Sequence, residues 1–224
     1  MRLSEKTTKI LQNFTSINQS LHFKEGNTLR TISVMKNVLA EAEIDEYIPR
    51  EFAIYDLPQF LNTLSLTNAA SIDVTTDHSH ALIRGNASNK TKFFFCDPSV
   101  IVAPPEKQMT LPSVDVEFML GEQDLRSLLK ASSIMQLPDL SVVGNGSTVE
   151  VVVSDRKNDT SNEFNLTVGQ TDNTFSFNFK IENIKTLIGG YHVSISKKNL
   201  AKFYSSAYKL TYFIALEPDS TFDE

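Results

Sequence analysis

A helical pattern followed by about three strands recurs four times along this chain, and that order limits the fold more than any bulk property. In the first unit, Ile10, Leu11, Phe14 and Ile17 recur at helical spacing between Ser4 and Asn18, and Ser4 is a suitable N-cap. Strands are predicted over 20–24, 28–34 and 38–44, with Gly26 and Asn27 in a turn. The second unit opens with a strand over 52–55. Asp56 then caps a helix, Pro58 fits its first turn, and Leu57, Phe60, Leu61 and Leu64 form its apolar stripe. Strands follow at 70–75, 81–85 and 91–96. The third unit has a strand over 114–120, then a helix over 122–135 that turns Leu125, Leu128 and Leu129 inward. Its later strands are predicted at 140–143, 149–154 and 163–168. In the fourth, Phe175, Phe177 and Phe179 alternate with Ser176, Asn178 and Lys180, which predicts a half-buried strand. A short helix carries Ile184, Leu187 and Ile188, Gly189-Gly190 ends it, and strands close the chain at 191–196, 202–206 and 210–216.

The stretch between the second and third units holds Pro98, Pro104, Pro105 and Pro112 and has little periodicity, so it reads as a linker. The expected organisation is an N-terminal domain over 1–97, a linker over 98–113 and a C-terminal domain over 114–224. Each domain has two helices whose apolar stripes must cover antiparallel sheet, an α+β arrangement. Repetition of that unit gives a quasi-symmetric arc, and arcs with open edge strands can close into a ring.

With 224 residues the chain can bury its cores without metals or disulfides. No apolar run is long enough to span a bilayer, and Arg2, Glu5, Lys6 and Lys9 do not suit a signal peptide. Cys96 is the single cysteine, and nothing near it suggests a nucleophile or an oxidising compartment. Asp77, His78 and His80 fit a hairpin turn better than a metal site, because no third ligand stands at a useful spacing. Phosphate-loop, dinucleotide-binding, zinc-protease and serine-hydrolase motifs are missing from the sequence, so neither an enzyme nor a cofactor is expected. A net charge of -6 argues against gripping nucleic acid with an overall basic surface, but leaves room for basic residues gathered on one face.

Several segments resemble the T4-type bacteriophage sliding clamps. They include Leu3-Ser4, Thr7-Thr8, Leu11, Asn13-Phe14 and Ile17-Asn18, then Ala53-Ile54-Tyr55-Asp56-Leu57 with Phe60-Leu61 and Leu64-Ser65-Leu66. Asp97-Pro98-Ser99, Val102-Ala103-Pro104, Ala215-Leu216-Glu217 and Asp219-Ser220-Thr221 extend the likeness to the linker and the C-terminus. The chain departs from the family where Phe93 stands at a position that can hold tryptophan. The resemblance implies a DNA-clamp fold, a homotrimeric ring around duplex DNA with helices lining the hole, and loading by an ATP-driven clamp loader. It also implies binding of the phage DNA polymerase, a role with late transcription factors, and work in the cytoplasm of the infected bacterial host, away from any membrane.

Under that resemblance the helix faces opposite the apolar stripes become candidates for DNA. Lys6, Lys9 and Asn13 share one face of the first helix, Arg126 and Lys130 one face of the third, and Lys180 and Lys185 flank the fourth. The plainer reading is a solvated surface with ordinary lysines. A protein that slides should meet phosphates diffusely and leave bases unread. Lys92, Phe93, Phe94 and Phe95 on one edge strand, and Phe164, Leu166 and Val168 on another, are expected to form the subunit interface. Val100, Ile101, Val102 and Pro104 in the linker, with Phe213, Ala215, Leu216 and Pro218 near the C-terminus, are candidates for a partner-peptide pocket. They could instead merely seal a core. A β-rich phage tail or baseplate protein is the alternative function, and it would not need basic helix faces.

Overall fold

The first turn of α1 (Glu5–Phe14) forms where Ser4 supplies an acceptor: its hydroxyl takes the Thr7 N–H at 3.2 Å, as the sequence predicts. Ile10, Leu11 and Phe14 are fully buried on one side of this helix. The structure is a computed structural model that describes residues 1–66, 71–75, 79–85 and 89–223. Its contacts divide the chain into two compact units. The first holds Met1–Gln108 and Ala207–Leu210, the second Met109–Ser206 and Thr211–Glu224.

In the first unit α1 is followed by β1 (Leu21–Phe23), β2 (Gly26–Ile32), β3 (Val38–Ile48) and β4 (Phe52–Ile54). Then come α2 (Leu57–Ser65), β5 (Ser71–Val74), β6 (His80–Arg84) and β7 (Lys90–Phe94). β1 pairs with β4, β2 with β3, and β5-β6-β7 make an antiparallel sheet with β7 at one edge. Gly26 does not turn the chain as expected. It starts β2 at φ +122, beside a register shift that passes over Asn27, and glycine tolerates that backbone without strain. Asp56 caps α2 through the Gln59 N–H at 2.8 Å, with Pro58 in the first turn. α1 packs on α2 and on β3. Beneath them Phe93, Phe60, Phe23, Phe52 and Phe95 stand in ring contact, with successive centroids 4.5 to 6.3 Å apart.

After a short 3-10 turn at Pro98–Val100, capped by Asp97, the chain reaches the second unit. Its elements are β8 (Val116–Leu120), α3 (Glu122–Met135), β9 (Asp139–Asn145), β10 (Thr148–Ser154), β11 (Phe164–Gln170) and β12 (Thr174–Lys180). They are followed by α4 (Ile181–Ile184), β13 (Tyr191–Ser196), β14 (Leu200–Ser205), β15 (Leu210–Ala215) and β16 (Thr221–Asp223). One sheet has the order β11-β10-β9-β12-β16, and β15-β14-β13-β8 run side by side in another. Phe175, Phe177 and Phe179 on β12 are buried at 2% exposure or less, as the alternation predicts, but Asn178 on the other face is also at 2%, so the strand is not half-buried there. Gly144 opposite Phe175 has no room for a side chain, since a Cβ there would lie 2.3 Å from the ring.

Two expectations fail here. The fourth helix stops at Ile184, before Leu187 and Ile188. The Thr186 hydroxyl turns back to the Asn183 carbonyl at 2.8 Å, and the Ile188 N–H goes to the Tyr191 hydroxyl at 2.8 Å. Those local bonds replace a further helical turn. β16 was not foreseen, because its three residues are held as strand only by pairing with β12. Among the described residues no helix is long and apolar enough to cross a membrane.

Candidate functional site

On α1 the buried stripe leaves Lys9 exposed and Lys6 and Asn13 half-buried on the other side. The N-terminal turn of α1 is also fastened from outside. The Ser4 N–H and the Thr7 hydroxyl (2.6 Å) both donate to the Glu46 carboxylate on β3. Burial alone pushes the Glu46 carboxyl up, but the bonds from Thr7 and Ser4 outweigh it and hold the group below the usual carboxylate range. Sequence reasoning missed Glu46, since nothing local signals a bond spanning 42 positions.

On α3, which packs against β10 and β11, Arg126 and Lys130 are exposed. Arg126 pairs with Glu122 one turn earlier, so its charge is partly offset. Lys185 is exposed at the end of α4. Lys180 differs from the others. Its ammonium reaches the Asp139 carboxylate at 2.5 Å, and the Asp139 side chain is only 2% exposed. That hydrogen bond holds the lysine above its ordinary range against the opposing effect of burial. Lys180 therefore also neutralises a buried acid, a partner that the sequence did not announce.

β7 and β11 are the outer strands of their sheets. Phe164, Leu166 and Val168 point inward from β11 yet stay half-exposed, while Val149, Val151 and Val153 on neighbouring β10 are at 2% or less. β7 repeats the pattern: Phe93 is half-exposed, whereas Ala81 and Ile83 on β6 are at 0%. Phe93 and Phe95 turn into their own unit's ring cluster yet stay half-exposed at its open edge. Phe94 is 64% exposed with the Lys92 ammonium 4.7 Å from its ring centre, and these two face outward.

The expected pocket residues separate by environment. Val100 and Val102 are exposed, and Ile101 and Pro104 half-buried, all within the first unit. In the second unit Phe213 and Leu216 are buried, each 6% exposed, Ala215 is half-buried and only Pro218 is exposed. β15 buries residues on both of its faces, Phe213 among them, and Leu216 just beyond the strand is buried as well. Missed by sequence reasoning are Val34 and Met35, exposed by 66% and 81% in the β2–β3 turn. Two large apolar side chains in a hairpin turn were the available signal. Asn18 connects this turn to the linker: its side-chain amide donates to the Ile32 carbonyl at 2.9 Å and to the Val102 carbonyl at 3.1 Å.

Cys96 is half-buried, and burial together with the Asp97 charge pushes its thiol up, away from nucleophile chemistry. Asp77 and His78 lie outside the described residues, and His80 bonds with the Ser79 hydroxyl at 2.7 Å beside Phe94. No cluster of metal-ligating side chains occurs among the described residues.

Comparison with known proteins gives a single answer for both units. The family model described as DNA polymerase processivity factor matches residues 3–103, and that described as gp45 sliding clamp, C terminal, matches residues 117–218. The sliding clamp of Enterobacteria phage T4 is 32% identical, with 100% of each chain covered. The sliding clamp of Vibrio phage KVP40 is 30% identical over 97% of this chain and 99% of its own. Among solved structures, A. fulgidus PCNA bound to the C-terminal region of FEN-1 superposes with a TM-score of 0.71 at 12% identity, covering 98% of both chains. At that identity the likeness speaks for the clamp fold alone. Matched in both halves and at full length, the chain belongs to the phage sliding clamps, the non-enzymatic processivity factors of DNA polymerases.

Proposed function

We propose that three copies of the chain close into a ring around duplex DNA and tether the phage replicative polymerase. The carrying observation is the pair of edge strands whose inward apolar rows stay half-exposed beside fully buried neighbours. Pairing β7 of one copy with β11 of the next covers both rows and satisfies the open backbone groups. Lys92 and Phe94 then lie on the outer side of the seam. Lys6, Lys9, Asn13, Arg126, Lys130 and Lys185 face the hole and meet phosphates through mobile stems, with no base contact. Retention comes from topology, so a net charge of -6 is tolerable.

Ring opening calls for an ATP-dependent clamp loader, and late transcription factors share the polymerase's docking surface. The protein acts in the cytoplasm of the infected bacterial host. Residues 98–113 connect the domains over 1–97 and 114–224. The docking surface centres on Val100, Ile101, Val102 and Pro104, and Val34 and Met35 extend it. The neighbour solved with the C-terminal region of another protein supports a tail peptide as occupant. Native mass spectrometry at micromolar concentration tests assembly. A closed trimer is expected, and a monomer at every concentration overturns the ring.

A further inference from the structure

Within the first unit the linker is not loose chain laid over a surface. Asn18 holds the Val102 carbonyl, and three residues further on a second fastening begins. Arg30, on β2, points its guanidinium at the linker. Nη1 donates to the Pro105 carbonyl at 2.8 Å and Nη2 to the Lys107 carbonyl at 3.4 Å. Nε donates to the Glu41 carboxylate at 3.0 Å from the directly opposite position on β3. The Arg30 side chain is 19% exposed and Glu41 24%, so the pair is sheltered on both sides. Lys24 also pairs with Glu106, but that acid is 85% exposed and the contact adds little.

We propose that Arg30 is a positioning residue for partner binding: oriented by Glu41, it fixes the Pro105 and Lys107 carbonyls and so sets the course along which the linker displays its apolar surface. This rests on the reading of the linker as the docking segment. The planar fork of an arginine takes a carboxylate along one edge and two carbonyls along another, which a lysine ammonium cannot do. Because both linker acceptors are backbone, the hold is independent of the side chains a partner reads. Ala103 and Pro104 are thereby pinned between the Asn18 and Arg30 fastenings, and proline removes most of the freedom left. A partner then meets a surface already ordered. When the hold is lost the docking-competent fraction falls, and apparent affinity falls with it in the same ratio.

The test uses full-length Arg30→Gln, Arg30→Lys and Val102→Ser proteins, each checked for native assembly. The probe is a labelled peptide copying the last dozen or so residues of the cognate phage polymerase. Hydrogen exchange over 101–108 should quicken about tenfold in Arg30→Gln. Peptide affinity should weaken about five- to tenfold through slower association, with dissociation little changed. Arg30→Lys should recover less than half of either effect. Unchanged exchange in Arg30→Gln overturns the inference, and so does faster exchange with unchanged affinity. Val102→Ser separates the two readings: weakened binding there upholds the docking surface, while parental binding removes the surface and this inference with it.

Discussion

Replacing Lys180 by Met tests whether that lysine serves the core or the DNA. Breaking a buried ion pair from one side costs about 3–5 kcal/mol, because the remaining charge stays buried without its partner. Here the cost is smaller. Asp139 keeps the Arg156 N–H at 3.2 Å, and the Lys180 side chain is 34% exposed, so water can reach that end. Those two features together reduce the expected loss to roughly 2 kcal/mol. For a chain of 224 residues that corresponds to a Tm drop of about 4–8 °C. Scanning calorimetry near neutral pH should read this drop, with faster exchange over β9 and β12. Exposed Lys130→Met should stay within about 0.5 kcal/mol of the parent. Adding Asp139→Asn to Lys180→Met should recover much of the loss, since the stranded charge is gone. The reasoning fails if Lys180→Met melts like Lys130→Met, or if the second substitution deepens the loss.

Other expectations follow from the same contacts. Lys6, Lys9, Arg126 and Lys130 all replaced by Glu should leave the assembly intact and sharply shorten loader-dependent retention on DNA at moderate salt; parental retention in a residence-time assay would clear these residues of the role. Glu46→Gln should cost about 1 kcal/mol near pH 7. The Glu46 carboxyl is depressed in the folded state, so its stabilisation is present above the unfolded carboxylate value and is lost as pH falls through the folded one. Parent and variant melting curves should therefore converge with acidification, and a constant gap would contradict the assignment. Lys92→Pro on β7 should abolish assembly while leaving each unit folded, because the Lys92 N–H points away from β6 and proline there removes a donor from the open edge. Analytical ultracentrifugation that still finds the parental oligomer would count against β7 as the seam.

Helix positions were legible because periodicity is local: the stripes of α1, α2 and α3 can be counted from residues within a few turns. Phe175, Phe177 and Phe179 announced β12 in the same way. The last turn expected of α4 was misread because Thr186 and Tyr191 offer its backbone other partners, which an apolar count does not register. Lys180 looks like Lys185 in sequence, and only folding brings Asp139, 41 positions away, to its amine. The Glu46 and Arg30 fastenings escaped notice for the same reason: their partners lie 39 to 77 positions away, where spacing carries no information. Phe213 was apolar near a terminus, but whether a strand buries one face or two depends on its neighbours in the sheet.

The two chain ends bear on how many directions these sheets can grow. Met1 exchanges backbone bonds with Ile72 on β5, each at 2.7 Å, on the side of that sheet opposite β7. At the other end β16 lies along β12, on the side opposite β11, with Phe222 stacked near Phe175 and Phe177. Arg156 pairs with Asp219, and the Asn178 N–H donates to the Ser220 hydroxyl at 3.0 Å, fastening the approach to β16. Each of these two sheets is thus stopped on one side by a terminus and left open on the other. Each of these two sheets therefore keeps one fully open edge, β7 in the first unit and β11 in the second. Deleting residues 217–223 would uncover β12 and give that sheet a second open edge, so the truncated protein should associate strand to strand more readily than the parent.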